Sequence, residues 1–221
     1  MKRIVLVIAF CLLLLSQLNA IHPVVSIYSW CELDPFIYEQ GMDYPLSKEE
    51  AARRLLEEAR QVFSGMIYGY SFTYTPSDKA RQVSEEFDLL PHSEILWGDT
   101  SLSIEKSKII ENRLVAKANY VLNAAQINWL SAWQSADIEV SEARGESDLF
   151  KGSKNKIKAL ENAIKEAIRY WARNRYFNKP KQIKGRLIIE EEPVFTVNAG
   201  KYIAHTRIRL IIDHFLHYKI Y

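Results

Sequence analysis

Around Ser64 and Gly65 the hydrophobic period of this chain changes from 3.6 residues to 2, which commits this part of it to a helix followed by a strand. Upstream, Ala51, Ala52, Leu55, Leu56, Ala59, Val62 and Phe63 share one helical face, and Ser47 with Glu50 forms a capping-box pair ahead of them. Arg53, Arg54, Glu57, Glu58 and Arg60 occupy the opposite face, as on a solvated helix surface. Downstream, Met66, Tyr68, Tyr70, Phe72 and Tyr74 alternate with Ile67, Gly69, Ser71, Thr73 and Thr75, so one strand face is almost wholly aromatic. Such a face either stacks sugars or bases or lies against a helix, and core packing is the commoner use.

Pro76 stops that strand, and Ser77 to Asp88 reads as a short helix. Ser101–Ile110 and Leu114–Leu122 then read as a hairpin turning at Glu111 and Asn112. A second amphipathic helix spans about Asn155 to Tyr176, with Ile157, Leu160, Ile164, Ala167, Ile168 and Trp171 on one face and Pro180 beyond its end. It is followed by a strand, Ile183–Glu190, and a hairpin of Val194–Val197 and Lys201–Ile212 around Asn198, Ala199 and Gly200. The order helix, strand, hairpin thus occurs twice. Leu114–Leu122 can be laid over Tyr202–Leu210 without a gap and with the same alternation, which suggests a duplicated unit. The expected fold is α+β, two helix-on-antiparallel-sheet units. The first covers residues 47–123 and the second 153–221. A proline-interrupted arm (21–46) precedes them, and a partly helical linker (124–152) lies between. Trp129 and Trp133 stand at helical spacing in that linker, and Arg144–Ser147 reads as a break.

Residues 1–20 have the three parts of a secretory signal: basic Lys2 and Arg3, the apolar run Ile4–Leu15, and polar Ser16 to Ala20. The run is shorter than the roughly 18 to 20 residues of a membrane-spanning helix, so cleavage after Ala20 is expected, leaving no membrane span. Cys11 lies inside the apolar run behind Phe10, which disfavours a lipoprotein route. The mature chain is then periplasmic or secreted.

Losing Lys2 and Arg3 takes the basic residues from 29 to 27, equal to the 27 acidic ones, so no global field recruits nucleic acid. Cys31 becomes the sole cysteine. No intramolecular disulfide can form, and the thiol reads as a small buried hydrophobe, with a link between chains as the alternative.

The chain contains no nucleophile elbow, P-loop, dinucleotide fingerprint, H-E-x-x-H or C-x-x-C, so no catalytic residue, cofactor or metal is expected. Asp213, His214 and His217 would share a face only in a helix, whereas the residues before them read as strand. Glu190, Glu191 and Glu192 could supply paired carboxylates but read as a solvated loop, and His92 and His22 have no visible partner.

Ala51, Ala52, Ala59 and Phe63 leading into Tyr68–Gly69 and an alternating strand resemble the FlgP and FlgT-type envelope proteins. The likeness covers mainly Ser47–Leu122 and more faintly Ile157–Ile212. It implies a periplasmic, flagellum-associated assembly protein in which an alanine-rich helix lies on a small antiparallel sheet, with no catalytic residues to carry over. The expected role is that of a structural or assembly component working through an envelope protein partner or a homo-oligomer. A binding module holding a small ligand or glycan on the aromatic strand is the alternative, and an enzyme of unrecognised class the third. On the final strand, Tyr202, Ala204, Thr206, Ile208 and Leu210 form the expected inner set. Lys201, Ile203, His205, Arg207, Arg209 and Ile211 then form an outward basic face, the candidate partner surface, suited to peripheral envelope association.

Overall fold

A computed structural model describes residues 23–135 and 137–218, so the expected signal peptide and its cleavage site lie outside the described residues. The strands are β1 (Val24–Glu32), β2 (Tyr70–Thr75), β3 (Glu86–Pro91), β4 (Leu102–Ile110), β5 (Arg113–Val121), β6 (Glu139–Asp148), β7 (Gln182–Ile189), β8 (Val194–Asn198) and β9 (Lys201–Leu216). The helices are α1 (Lys48–Ile67), α2 (Ala124–Ala132) and α3 (Asn155–Arg175). Two antiparallel sheets result: a three-stranded one in the order β1-β5-β4, and a six-stranded one in the order β3-β2-β7-β9-β6 with β8 also on β9. The class is α+β, with helices laid on antiparallel sheets, as the alternating sequence pattern requires.

Each long helix follows from its apolar stripe, and α1 also from its N-cap. The Ser47 hydroxyl accepts from the Glu50 amide at 3.1 Å, and α1 buries Ala51, Leu55, Ala59, Val62 and Phe63. α3 buries Ala159, Leu160, Ala163, Ile164, Ala167, Ile168 and Trp171. The main core joins the α3 stripe and Ala59, Val62 and Phe63 of α1 to Ile27, Ala118 and Tyr120 of the small sheet and to Phe72, Tyr74, Leu187, Ile189 and Ile208 of the large one, while Ala51 and Leu55 pack with Leu46, Leu114 and Ala116 in a smaller cluster.

Several local expectations give way to tertiary packing. The aromatic run does not begin a strand at Met66, because α1 continues through Ile67 and Tyr68 donates its amide back to the Ser64 carbonyl. Gly69, at φ +74°, then turns the chain into β2. Phe72 and Tyr74 are buried, which removes the aromatic strand as a stacking platform. Ser77–Asp88 holds only a single 3₁₀ turn, Lys79–Arg81, and the start of β3, since its few apolar residues offer no helical stripe.

The arm of residues 21–46 is not wholly detached from the packed structure. β1 pairs along its full length with β5, from Val24 opposite Val121 to Glu32 opposite Arg113, and buries Ile27 and Ser29. Within residues 124–152 the expected break at Arg144–Ser147 is instead part of β6, an edge strand running beside β9. Its inward positions, Ser141, Ala143 and Gly145, are small because α3 lies directly on them, and the Ser141 hydroxyl donates to the Ala167 carbonyl at 2.8 Å. Apart from β3, inserted after β2, the order strand, helix, strand, hairpin therefore occurs twice, as β1-α1-β2 with β4-β5, and as β6-α3-β7 with β8-β9. The opening strand pairs with the last one in each case, β1 with β5 and β6 with β9. β2 is exchanged between the halves, for it pairs with β7 in the large sheet.

Candidate functional site

Where β1, α1, the start of α3 and β9 converge, the surface opens into a cleft of about 430 Å³. Its apolar lining includes Trp30, Cys31, Met42, Leu55 and Tyr202, and Trp97 stands at its mouth, 55% exposed. Pro35 belongs to the same lining, and next to it the exposed Phe36 meets exposed Phe150 edge to face at 5.4 Å. Apolar walls with a few placed polar groups are the usual make-up of a binding cleft.

Lys156, only 3% exposed, forms the polar centre. Its ammonium lies 2.7 Å from Glu58 Oε1, 2.8 Å from the Trp30 carbonyl and 3.3 Å from Ser29 Oγ, and 4.1 Å from the Trp30 ring centroid. Ser29 in turn donates to Glu58. Three oxygens thus surround the ammonium, and the Ser29 hydroxyl proton is itself committed to Glu58. What the group does is join β1, α1 and α3.

It also closes the free edge of β1. Lys156 occupies the Trp30 carbonyl, Glu192 accepts the Tyr28 amide, and the Trp30 indole donates to the Phe195 carbonyl at 3.2 Å. Burial pushes the Cys31 thiol up to about 11, outweighing the lowering effect of Arg54 and Lys156, so at neutral pH it is a protonated, poor nucleophile. Burial would raise Glu39, but hydrogen bonds from Ser153 and the charge of Arg54 hold its carboxyl below the usual range. Burial likewise raises the Tyr202 phenol. The cleft sets apolar Trp30, Cys31, Leu55 and Tyr202 among charged side chains, Glu32, Arg53, Glu57 and Lys154 included: a place to hold an apolar group flanked by charge.

The face read from the final strand is built differently from expectation. Tyr202, Ala204, Thr206, Ile208 and Leu210 do point into the core. On the other side, however, Ile203 is buried, Lys201 pairs with Glu146 at 2.6 Å, and Arg207 pairs with Glu190 at 2.8 Å. Arg209 reaches Glu190 at 2.6 Å and the Trp133 carbonyl at 3.1 Å, His205 is exposed, and Ile211 is half-buried. Glu190 thus neutralises Arg207 and Arg209 while Glu191 stays in an exposed loop, and the Trp133 carbonyl just beyond α2 accepts from Arg209. Asp213 pairs with Arg186 at 3.0 Å, and among the described residues no three His, Cys, Asp or Glu side chains converge as metal ligands.

The Lys156–Glu58–Ser29 group was missed in the sequence, although a signal existed. Lys156 lies three, four and seven residues before Ala159, Leu160 and Ala163, and Glu58 lies between Leu55 and Val62. Both charges therefore fall on apolar stripes, where an ionisable side chain needs a buried partner.

Among the described residues no helix is long and apolar enough to cross a membrane. An uncharacterized protein of Treponema pallidum (strain Nichols) is 26% identical over 202 residues, which cover 90% of this chain and 84% of that protein. No solved structure matches. A protein-family model matches residues 13–218, taking in both sheets and the whole cleft, and the chain belongs to that family.

Proposed function

We propose that the protein is an exported, non-enzymatic structural or assembly component of the cell envelope that works by protein contact. It holds an apolar segment of a partner in the cleft between Trp30, Leu55 and Tyr202. The observation that carries this reading is the complete internal pairing of Lys156 beneath an apolar, aromatic-rimmed opening. Such a site gains affinity by desolvating apolar surface, and its fixed charges have no catalytic duty left. Export follows from the N-terminal signal, and a place in a flagellar or motility apparatus follows from the sequence resemblance.

The test is fractionation of the native envelope. The mature chain should begin at or near Ile21 and migrate in an assembly larger than itself. Trp97→Asp combined with Phe36→Asp should weaken that association at least about tenfold, because exposed aromatics at a contact centre carry much of the binding energy. Both side chains are exposed, so melting should barely change. An intact Met1 terminus on a cytosolic protein would defeat the export half, and an undisturbed assembly in the double variant would defeat the cleft half.

A further inference from the structure

β6 is an edge strand of the large sheet, and part of that edge is open. Toward its C-terminal end the outward carbonyls are taken: Asn162 Nδ2 donates to Glu146 O at 2.8 Å, and Asn155 Nδ2 to Asp148 O at 2.6 Å. Since outward-pointing residues alternate along a strand, Val140, Glu142 and Arg144 aim their amides and carbonyls the same way. Among the described residues nothing caps them. Both edges of the small sheet are blocked: β1 by Lys156 and Glu192, and β4 by a bulge between Ile104 and Lys106 beside exposed lysines.

We propose that a second copy of this chain closes this edge, β6 pairing antiparallel with its counterpart about a two-fold axis through Ala143. In that register Glu142 stands opposite the partner subunit's Arg144, and Arg144 opposite the partner subunit's Glu142, so each strand is complementary to itself. An axis through Glu142 would instead oppose the two Glu142 carboxylates. Glu142 has no ion-pair partner among the described residues, and the partner of Arg144, Glu146, is already held by Lys201 at 2.6 Å. Both charges are therefore available. The Asn162 cap confines the new ladder to the Glu142–Arg144 pairs. Alongside them lies a groove lined by Val140, the 57%-exposed Tyr170 and Trp171, whose buried indole N–H has no acceptor. This surface is separate from the cleft and does not depend on the cleft reading.

Sedimentation equilibrium of the mature chain tests it. At ~100 µM the wild type should be substantially dimeric. Glu142→Pro removes an outward amide while leaving the β6–β9 bonds in place, so it should give a monomer with unchanged circular dichroism. Glu142→Arg should weaken the dimer about tenfold, because two cross-strand pairs turn repulsive together, and adding Arg144→Glu should restore it. A wild type that stays monomeric, a dimer that survives Glu142→Pro, or a charge swap that fails to restore association would each overturn the proposal.

Discussion

Lys156→Met should lower the stability of the mature chain by about 3 kcal/mol, read from the midpoint of urea unfolding. The substitution leaves the Glu58 carboxylate, the Ser29 hydroxyl and the Trp30 carbonyl without the ammonium that satisfies them. Glu58 retains some solvent contact, its side chain being 16% exposed, which keeps the loss toward the lower end of the range for broken buried pairs. Lys156→Met together with Glu58→Leu should recover most of the loss, since a buried pair replaced by apolar groups of similar volume is often neutral. A single variant within about 0.5 kcal/mol of wild type would show that the group does not hold β1, α1 and α3 together.

Gly145→Val should be comparably severe, about 3 kcal/mol or more in thermal unfolding, at the top of the range for overpacked cores. A β-carbon at this position would collide with the Ala163 backbone nitrogen and lie 2.5 Å from the Ala159 carbonyl oxygen. These are main-chain atoms of α3, so no side-chain rotation relieves the clash, and the helix must lift from β6. Gly98→Ala provides the contrast. Open space surrounds that position, and the only expected cost is the strain of its φ of +84°. A Gly145→Val protein that melts like wild type would mean that α3 is not seated on β6.

The two long helices and both hairpins were legible because their patterns are local. The Ser47 cap, the stripe from Ala51 to Phe63 and the alternation from Leu114 to Val121 each declare an element without reference to the rest of the chain. The strand at Glu139–Asp148 was not legible, because its inward positions are Ser141, Ala143 and Gly145, chosen for the approach of a helix rather than for hydrophobicity. The exchange of β2 into the large sheet was equally hidden. Nothing in Tyr70–Thr75 says that β7 will pair with it, and the β7 partners lie more than a hundred residues away, as Tyr70 opposite Leu187 illustrates.

The candidate site was less legible than the fold. Its chemistry depends on Ser29, Glu58 and Lys156 meeting from three elements, and although the two charges fall on apolar stripes, nothing in the sequence says that they meet each other. The final strand differs for a related reason: alternation identifies its inner face, but cannot show that Glu190 will neutralise Arg207 and Arg209 on the outer one. Pairing of Lys201, Arg207 and Arg209 with Glu146 and Glu190 leaves apolar surface around the cleft as the better candidate for a contact.

The cleft can be tested directly by photo-crosslinking in the native envelope, with p-benzoylphenylalanine placed at Trp97 and, as a control on the exposed strand β4, at Lys108. The account predicts one discrete adduct from position 97, carrying a partner peptide attached beside the cleft, and none from position 108. The absence of an adduct at 97, or the same adducts from both positions, would contradict it.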